Sequence, residues 1–303
     1  MSRSRPRRGR IWLAAHATFV YAFFYAPIVL LTVYSFSDSR LVGRWGGFTL
    51  DWYRDLAANE PIQDALVVSL QVAAASTVIA VTFGTLAALA LERFSFRGRR
   101  VFDALLYLPI IIPDVTMAVM MLLFFAQGLD LIDAMFGLEL SKGLGTIIVS
   151  HISFNISFVS VVVRARLRGM DEALEEAAAD LYATRWQAFR HVTLPQLAPG
   201  VAGGALLAFT LSLDDVVVTQ FVAGPGSTTL PVYVFGLIRR GVTPLVNAVS
   251  VVMLAASIAL VVASVMVQRR RTTAEAGLAA PGVPSVARAD ATATDEIEAV
   301  DTT

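Results

Sequence analysis

Three carboxylates, Asp114, Asp214 and Asp215, stand in stretches that are otherwise apolar. An acidic side chain at the middle of a bilayer costs about 2.5–3.5 kcal/mol, so such groups face a protein interior or a water-filled path. Asn155, Ser157, Ser160 and Gln220 lie in neighbouring apolar stretches and extend the set into a polar lining. Carboxylates so placed offset the desolvation of a cation such as an ammonium group, and one reading is a cation-friendly path. The structural alternative stays open: Asp114 as a helix cap behind Pro113, and the Asp214–Asp215 pair as part of a contact between subunits.

The rest of the sequence offers little further chemistry. There is no cysteine, which removes disulfides, thiolate catalysis and Cys-ligated metal. His16, His151 and His191 lie far apart and lack metal-ligand spacing, and no Ser/His/Asp or His-Glu-x-x-His arrangement occurs. His16 and His151 read as polar residues of the apolar region, His191 as a surface residue. The single lysine, Lys142, precedes Gly143, so the Gly-Lys-Ser/Thr of a P-loop is missing. Any ATP that drives this chain is bound and hydrolysed by another subunit. No catalytic residue, metal ligand or cofactor site is assigned.

The elements that must position these residues are apolar helices. The chain has 303 residues, 56% hydrophobic and 16% charged, against about 25% charged in soluble domains. Lys and Arg equal Asp and Glu in number, giving zero formal net charge, which argues against a nucleic-acid partner. A bilayer-crossing helix needs about 20 apolar residues. Counting uncharged intervals gives an all-α, polytopic membrane protein with six transmembrane helices, at roughly 11–36, 65–91, 104–126, 144–164, 200–222 and 244–267. On these bounds Asp114 falls near the middle of the third span. Asn155 lies in the fourth, and Asp214, Asp215 and Gln220 in the outer part of the fifth. Gly224-Pro225-Gly226 interrupts 216–238, which therefore reads as a surface hairpin or half-buried helix and not as a seventh span.

Orientation follows from arginine. Arg3, Arg5, Arg7, Arg8 and Arg10 precede the first span. Arg93, Arg97, Arg99 and Arg100 follow the second. Arg164, Arg166, Arg168, Arg185 and Arg190 follow the fourth, and Arg269, Arg270 and Arg271 the sixth. The opposite loops hold fewer: Arg40, Arg44, Arg54, Lys142, Arg239 and Arg240. Both termini are expected in the cytoplasm. Residues 1–10 read as a basic tail, 11–270 as the membrane domain, and 271–303, rich in Ala, Thr, Pro and acids, as a disordered cytoplasmic tail. Trp45, Trp52 and Tyr53 of the first external loop either sit at the headgroup level or pack within that loop.

A polar insert at about 165–198 interrupts the apolar pattern. Asp171 is a candidate N-cap, Glu172, Glu175 and Glu176 complement a helix N-terminus, and Ala177, Ala178 and Ala179 are strong helix formers. Thr184-Arg-Trp-Gln187 reads as a capping box opening a second short helix, which Pro195 and Pro199 are expected to stop before the fifth span. Ala177, Leu181, Trp186 and Phe189 give this insert apolar groups with little core of their own.

At this point a resemblance becomes specific. Residues 176–195 are similar to the EAA signature of permease subunits of ATP-binding-cassette importers: Glu-Ala-Ala, three residues, Gly, nine residues, Ile-x-Leu-Pro. Glu176, Ala177, Ala178, Leu194 and Pro195 match, and Val192 stands for Ile. Tyr182 stands where the signature has glycine; it costs about 1 kcal/mol if the turn keeps positive φ. The resemblance implies that the insert is a coupling helix docking into a groove of an ATPase subunit, with Glu175, Glu176, Ala177, Ala178, Leu181, Tyr182, Leu194 and Pro195 at or near the joint. Residues 107–115 (YLPIIIPDV) and 212–241 (SLDDVVVTQFVAGPGSTTLPVYVFGLIRRG) resemble the spermidine/putrescine group of these permeases. The likeness runs from about residue 11 to 270. It implies a bacterial inner-membrane location, and as partners a second homologous permease, two ATP-binding subunits, an external substrate-binding protein and membrane lipid. It also implies a path for a polyamine, with iron(III), a phosphonate or an opine as alternatives. A secondary, ion-gradient-driven transporter is the alternative of another class; no internal repeat supports it.

Overall fold

The computed structural model describes residues 7–278 apart from 42, 172 and 242, and it divides into two compact units, Met1–Ala259 and Leu260–Thr303. The first unit is built on α3 (Glu60–Arg93). Asn59 opens this helix, its side chain accepting from the Ile62 amide, and Pro61 occupies the first turn, where no intrahelical N–H is needed. The buried face of α3 is mostly small: Ala65, Ser69, Ala73, Ser76, Ala80, Gly84, Ala87 and Ala88. In lipid, helices associate through close packing, and small residues permit it. α3 packs against α6 (Leu144–Arg168) and α9 (Leu194–Asp214).

Three apolar clusters hang along α3. Ile62 and Ala65 meet Leu230 and Val234 of α11 (Leu230–Arg240) and Val246 and Val249 of α12 (Pro244–Leu278). Val72 joins Ala118 and Phe125 of α5 (Asp114–Phe136), Ile147 of α6, and Val218 and Val222 of α10 (Val217–Val222). Ala88 joins Val159 and Val163 of α6 and Leu197 and Ala208 of α9. Among the described residues six helices are long and apolar enough to cross a membrane: Ile11–Tyr34 within α1 (Arg7–Tyr34), α3, α5, α6, the run Arg185–Asp214, and Pro244–Ala263 within α12.

Span bounds differ from the sequence reading at two places. The third span is Asp114–Phe136, not 104–126. Residues Arg99–Ile111 form a separate helix, α4, which is too short to cross. Pro113 cannot continue it, since proline pushes the preceding residue out of helical geometry, and instead it precedes the new helix. Asp114 therefore lies at a helix N-terminus and not mid-span, where its charge faces the positive end of the dipole. The fifth span ends at Asp214, because the backbone turns extended at Asp215; Gln220 belongs to α10, outside that span. The 216–238 stretch is indeed no crossing: it is two short helices, α10 and α11, flanking the Gly224–Gly226 turn. Arg239 at the end of α11 lies 4.7 Å over the Phe235 ring.

At the ends, α12 stays helical through Leu278, beyond the residue 271 boundary assigned to the tail; residues 279–303 lie outside the described set. In the loop after α1, α2 (Asp51–Ala58) follows an isolated bridge between Ser37 and Phe48. Trp52 donates its indole N–H to the Ser37 carbonyl at 2.8 Å, and the Tyr53 hydroxyl lies 2.7 Å from Ser35 Oγ, so both pack within the loop.

Gly84 carries a close contact between α3 and α6. A Cβ there would stand 2.8 Å from Val159 Cβ and 2.9 Å from the Ile156 carbonyl oxygen, and backbone cannot yield. Gly84→Val forces α3 off α6 and is expected to destabilise the fold by about 1–3 kcal/mol. The check is a thermal melt of the purified protein in detergent.

Candidate functional site

The insert is built as read, with one change. Asp171 Oδ1 accepts from the Ala173 amide and starts α7 (Ala173–Asp180). The capping box at Thr184 is present: Gln187 N–H donates to Thr184 Oγ1, and Thr184 N–H to Gln187 Oε1 at 2.8 Å. It opens α8 (Arg185–Ala188). The prolines do not stop this helix. Phe189–Thr193 widen into one π turn, in which the Leu194 N–H reaches the Phe189 carbonyl five residues back, and α9 continues with Pro195 in its first turn and Pro199 inside. The wider turn places Pro195 where its missing N–H is tolerated. The second short helix and the fifth span are thus one run.

Tyr182 is the one non-glycine residue with positive φ among those described, at 59°. The turn keeps the left-handed conformation that glycine fills at no steric cost. The Tyr182 side chain is 95% exposed, so nothing within the chain repays the strain by packing. Leu181 and Trp186 are also largely exposed, Trp186 stacking on Phe189. The insert presents an apolar surface that the chain does not cover. Glu176, Ala177, Leu194 and Pro195 are exposed, and Ala178 is half-buried.

Glu175 differs from the rest. Its carboxylate is gripped by both terminal nitrogens of Arg93, the last residue of α3, with Arg93 Nη1 to Oε2 at 2.8 Å. The Thr193 hydroxyl donates to Oε1 at 2.5 Å. The Arg93 hydrogen bond holds the Glu175 carboxyl below its usual value of 4.5, against partial burial, with Thr193 and the Arg93 charge acting in the same direction. Beside this joint Arg164 bridges Glu92 of α3 at 2.7 Å and Asp103 of α4 at 2.5 Å, and Arg168 reaches Glu92 at 3.0 Å.

The transmembrane candidates divide. Asp215 Oδ2 accepts from the Thr219 hydroxyl and amide, both at 2.7 Å, which caps α10, and lies 3.4 Å from His151 Nε2. His151 is wholly buried and its Nε2 lies 3.0 Å from Thr219 Oγ1. Since that hydroxyl donates to Asp215, His151 Nε2–H is the donor to Thr219. Asn155, also wholly buried, donates to Ser212 Oγ at 2.8 Å, and Ser212 lies 3.0 Å from Ser76. This seam ties α3, α6, α9 and α10 together. Asp114, Asp214 and Gln220 are exposed on the single chain, and no hydrogen bond joins their side chains to the seam. Ser157 and Ser160 are buried on α6. His151, Thr219, Ser212 and Ser76 were absent from the sequence candidates. The usable signal was spacing on α6: His151 and Asn155 are four residues apart, on one helix face. No cluster of His, Cys, Asp and Glu that could hold a metal ion occurs among the described residues.

Residues 80–272, which contain the insert and most of the seam, match the binding-protein-dependent transport system inner membrane component family. The chain belongs to that family. It is a non-catalytic, multi-pass inner-membrane subunit of a transport system, and the ion-gradient alternative falls. The putrescine transport system permease protein PotI of Escherichia coli (strain K12) is 41% identical over 237 residues, 78% of this chain and 83% of that protein. The spermidine/putrescine transport system permease protein PotC of the same strain is 38% identical over 269 residues, 89% of this chain and 98% of that one. The crystal structure of a bacterial alginate ABC transporter in complex with an alginate pentasaccharide-bound periplasmic protein contains a chain that superposes with a TM-score of 0.72. It covers 88% of this chain and 96% of that one at 20% identity, a likeness of fold.

Two outcomes follow for the insert. Tyr182→Gly relieves the left-handed strain with no packing lost and is expected to raise stability by about 1 kcal/mol, read as a higher midpoint in thermal unfolding. Because the Glu175 pKa is depressed in the fold, its contribution is fully present above 4.5 and is lost as pH falls through the lower folded value. Amide exchange of α7 is expected to be unchanged between pH 8 and about 5 after correction for intrinsic rates, and to accelerate below that.

Proposed function

We propose that this chain pairs with a second permease to form the path of an ATP-driven importer for a polyamine of the putrescine/spermidine kind. The observation that carries the substrate class is the identity with two polyamine permeases over more than four-fifths of their length. In this reading an external binding protein delivers the substrate, and one of two ATP-binding subunits grips the insert on the cytoplasmic face through the exposed Leu181, Tyr182 and Trp186. The chain itself holds no nucleotide or cofactor. Closure of the ATPase pair moves the insert and reopens the path outward, the difference in binding free energy between the two states supplying the shift. Both termini lie in the cytoplasm in this reading, which the arginine distribution supports.

The exposure of Asp114, Asp214 and Gln220 supports their facing the path across from the second subunit. Asp215 and Asn155 are engaged inside the chain and support the wall that carries that lining. A carboxylate in the path offsets the dehydration of a substrate ammonium group.

The test is uptake of labelled putrescine and spermidine by cells expressing the whole importer, with iron(III) and a phosphonate as competing solutes. Polyamine uptake that needs ATP and falls about tenfold in Asp214→Asn at equal membrane levels supports both substrate and path. Uptake of iron(III) or phosphonate in place of polyamine removes the substrate assignment, and full uptake in Asp214→Asn removes that residue from the path.

A further inference from the structure

The joint at Glu175 has no place in the reading so far, in which the insert meets its partner through an outward apolar face. α7 contains no buried residue, so apolar packing does not fix its position. Among the described residues Glu175 is the one α7 side chain bonded to another helix. Its two partners sit on different elements. Arg93 ends α3, and Thr193, wholly buried, ends the π turn at the root of α9. The contact is a two-pronged guanidinium–carboxylate fork, which fixes orientation as well as distance. The Arg93 and Glu175 side chains are 35% and 30% exposed. At that exposure an ion pair adds little to overall stability, so its effect is geometric. A neighbouring grip, Arg164 and Arg168 on Glu92, holds the last turn of α3 to α6.

We infer that Arg93 is a positioning residue for coupling: through Glu175 and Thr193 it passes displacement of the insert to α3 and α9 together. Glu175 faces inward in this role, while Glu176 beside it is exposed and free for the partner side. A lever without this tie moves with the ATPase and leaves α3 behind, although α9 stays joined to it through the π turn. Arg93→Ala therefore separates ATP hydrolysis from transport without abolishing either assembly or hydrolysis.

The inference rests on the ATP-driven importer reading. The experiment uses the complete importer, reconstituted with its P-loop ATPase subunits and binding protein, and reads three quantities: ATPase co-purification, ATP hydrolysis, and polyamine taken up per ATP. For Arg93→Ala the expected result is wild-type co-purification, sustained hydrolysis, and uptake per ATP lowered about tenfold, within the usual span of coupling between sites. The swap Arg93→Glu with Glu175→Arg restores at least a third of the wild-type ratio, which a merely structural defect would not do. A wild-type ratio in Arg93→Ala, or a swap no better than the single variants, overturns the inference. If Arg93→Ala is missing from the membrane, Glu175→Gln keeps the volume and removes the charge; an unchanged ratio there overturns it equally. Failure of the importer reading shows separately, as a wild-type chain that captures no ATPase.

Discussion

The structure depends on the close approach of α3 to its neighbours. Lipid tails are as apolar as leucine side chains, so burying leucine between helices gains little in a bilayer; what holds helices there is contact at short range. The small face of α3, from Ala65 to Ala88, provides it along most of the helix, and all three apolar clusters include an α3 residue. A helix of 34 residues is about 51 Å long, against a hydrocarbon core of about 30 Å. Its ends therefore emerge into polar surroundings. That excess length is why Glu92 and Arg93 can carry ion pairs at all, and why the rod that organises the membrane domain also meets the polar insert.

Breaks in the other helices obey the same solvent. Backbone polar groups at membrane depth must be satisfied within the protein. At Asp215 the chain leaves helical geometry, and the Asp215 carboxylate takes up the Val218 and Thr219 amides of the next helix. His151 then secures the hydroxyl of the same threonine. On the far side of α10, the Thr146 hydroxyl donates to the Val222 carbonyl at 2.7 Å. A six-residue helix is marginal alone; here both its ends are tied by side chains from α6 and the preceding turn. The buried polar residues of the fourth span are in this sense a scaffold for the re-entry of the chain.

How far the sequence was readable follows from the same physics. Long uncharged intervals yielded the number of spans, because charge is what a bilayer rejects. They failed where charge is not the limiting feature. Residues 104–129 are uncharged but for Asp114, yet Pro113 splits them, and a count of charges is blind to a helix break. Pro195 and Pro199 gave the opposite error: one sits in a first turn and the other is carried inside α9, with the π turn taking up the strain. The capping box at Thr184 was legible since it is a local pattern of four residues. The Arg93–Glu175 fork was not, because it joins residues 82 apart and depends on how α3 and the insert meet.

The same contrast bears on Tyr182. A local rule says that glycine belongs at this turn, and φ of 59° confirms that the turn has not changed to suit the tyrosine. Within the chain the ring gains nothing, being 95% exposed. Departures from local preference concentrate at functional sites, where an outside contact repays them. Tyr182 lies between Leu181 and Trp186 on the one apolar face of the insert without cover, while Glu175, on the preceding helix, is turned toward α3 and α9. The insert thus has an inner side that is polar and fastened, and an outer side that is apolar and open. In the coupling role proposed for it, the insert must be firm at the inner joint and adhesive at the outer one. A strained residue at the outer surface, with Glu175 turned inward, is the distribution those two demands produce.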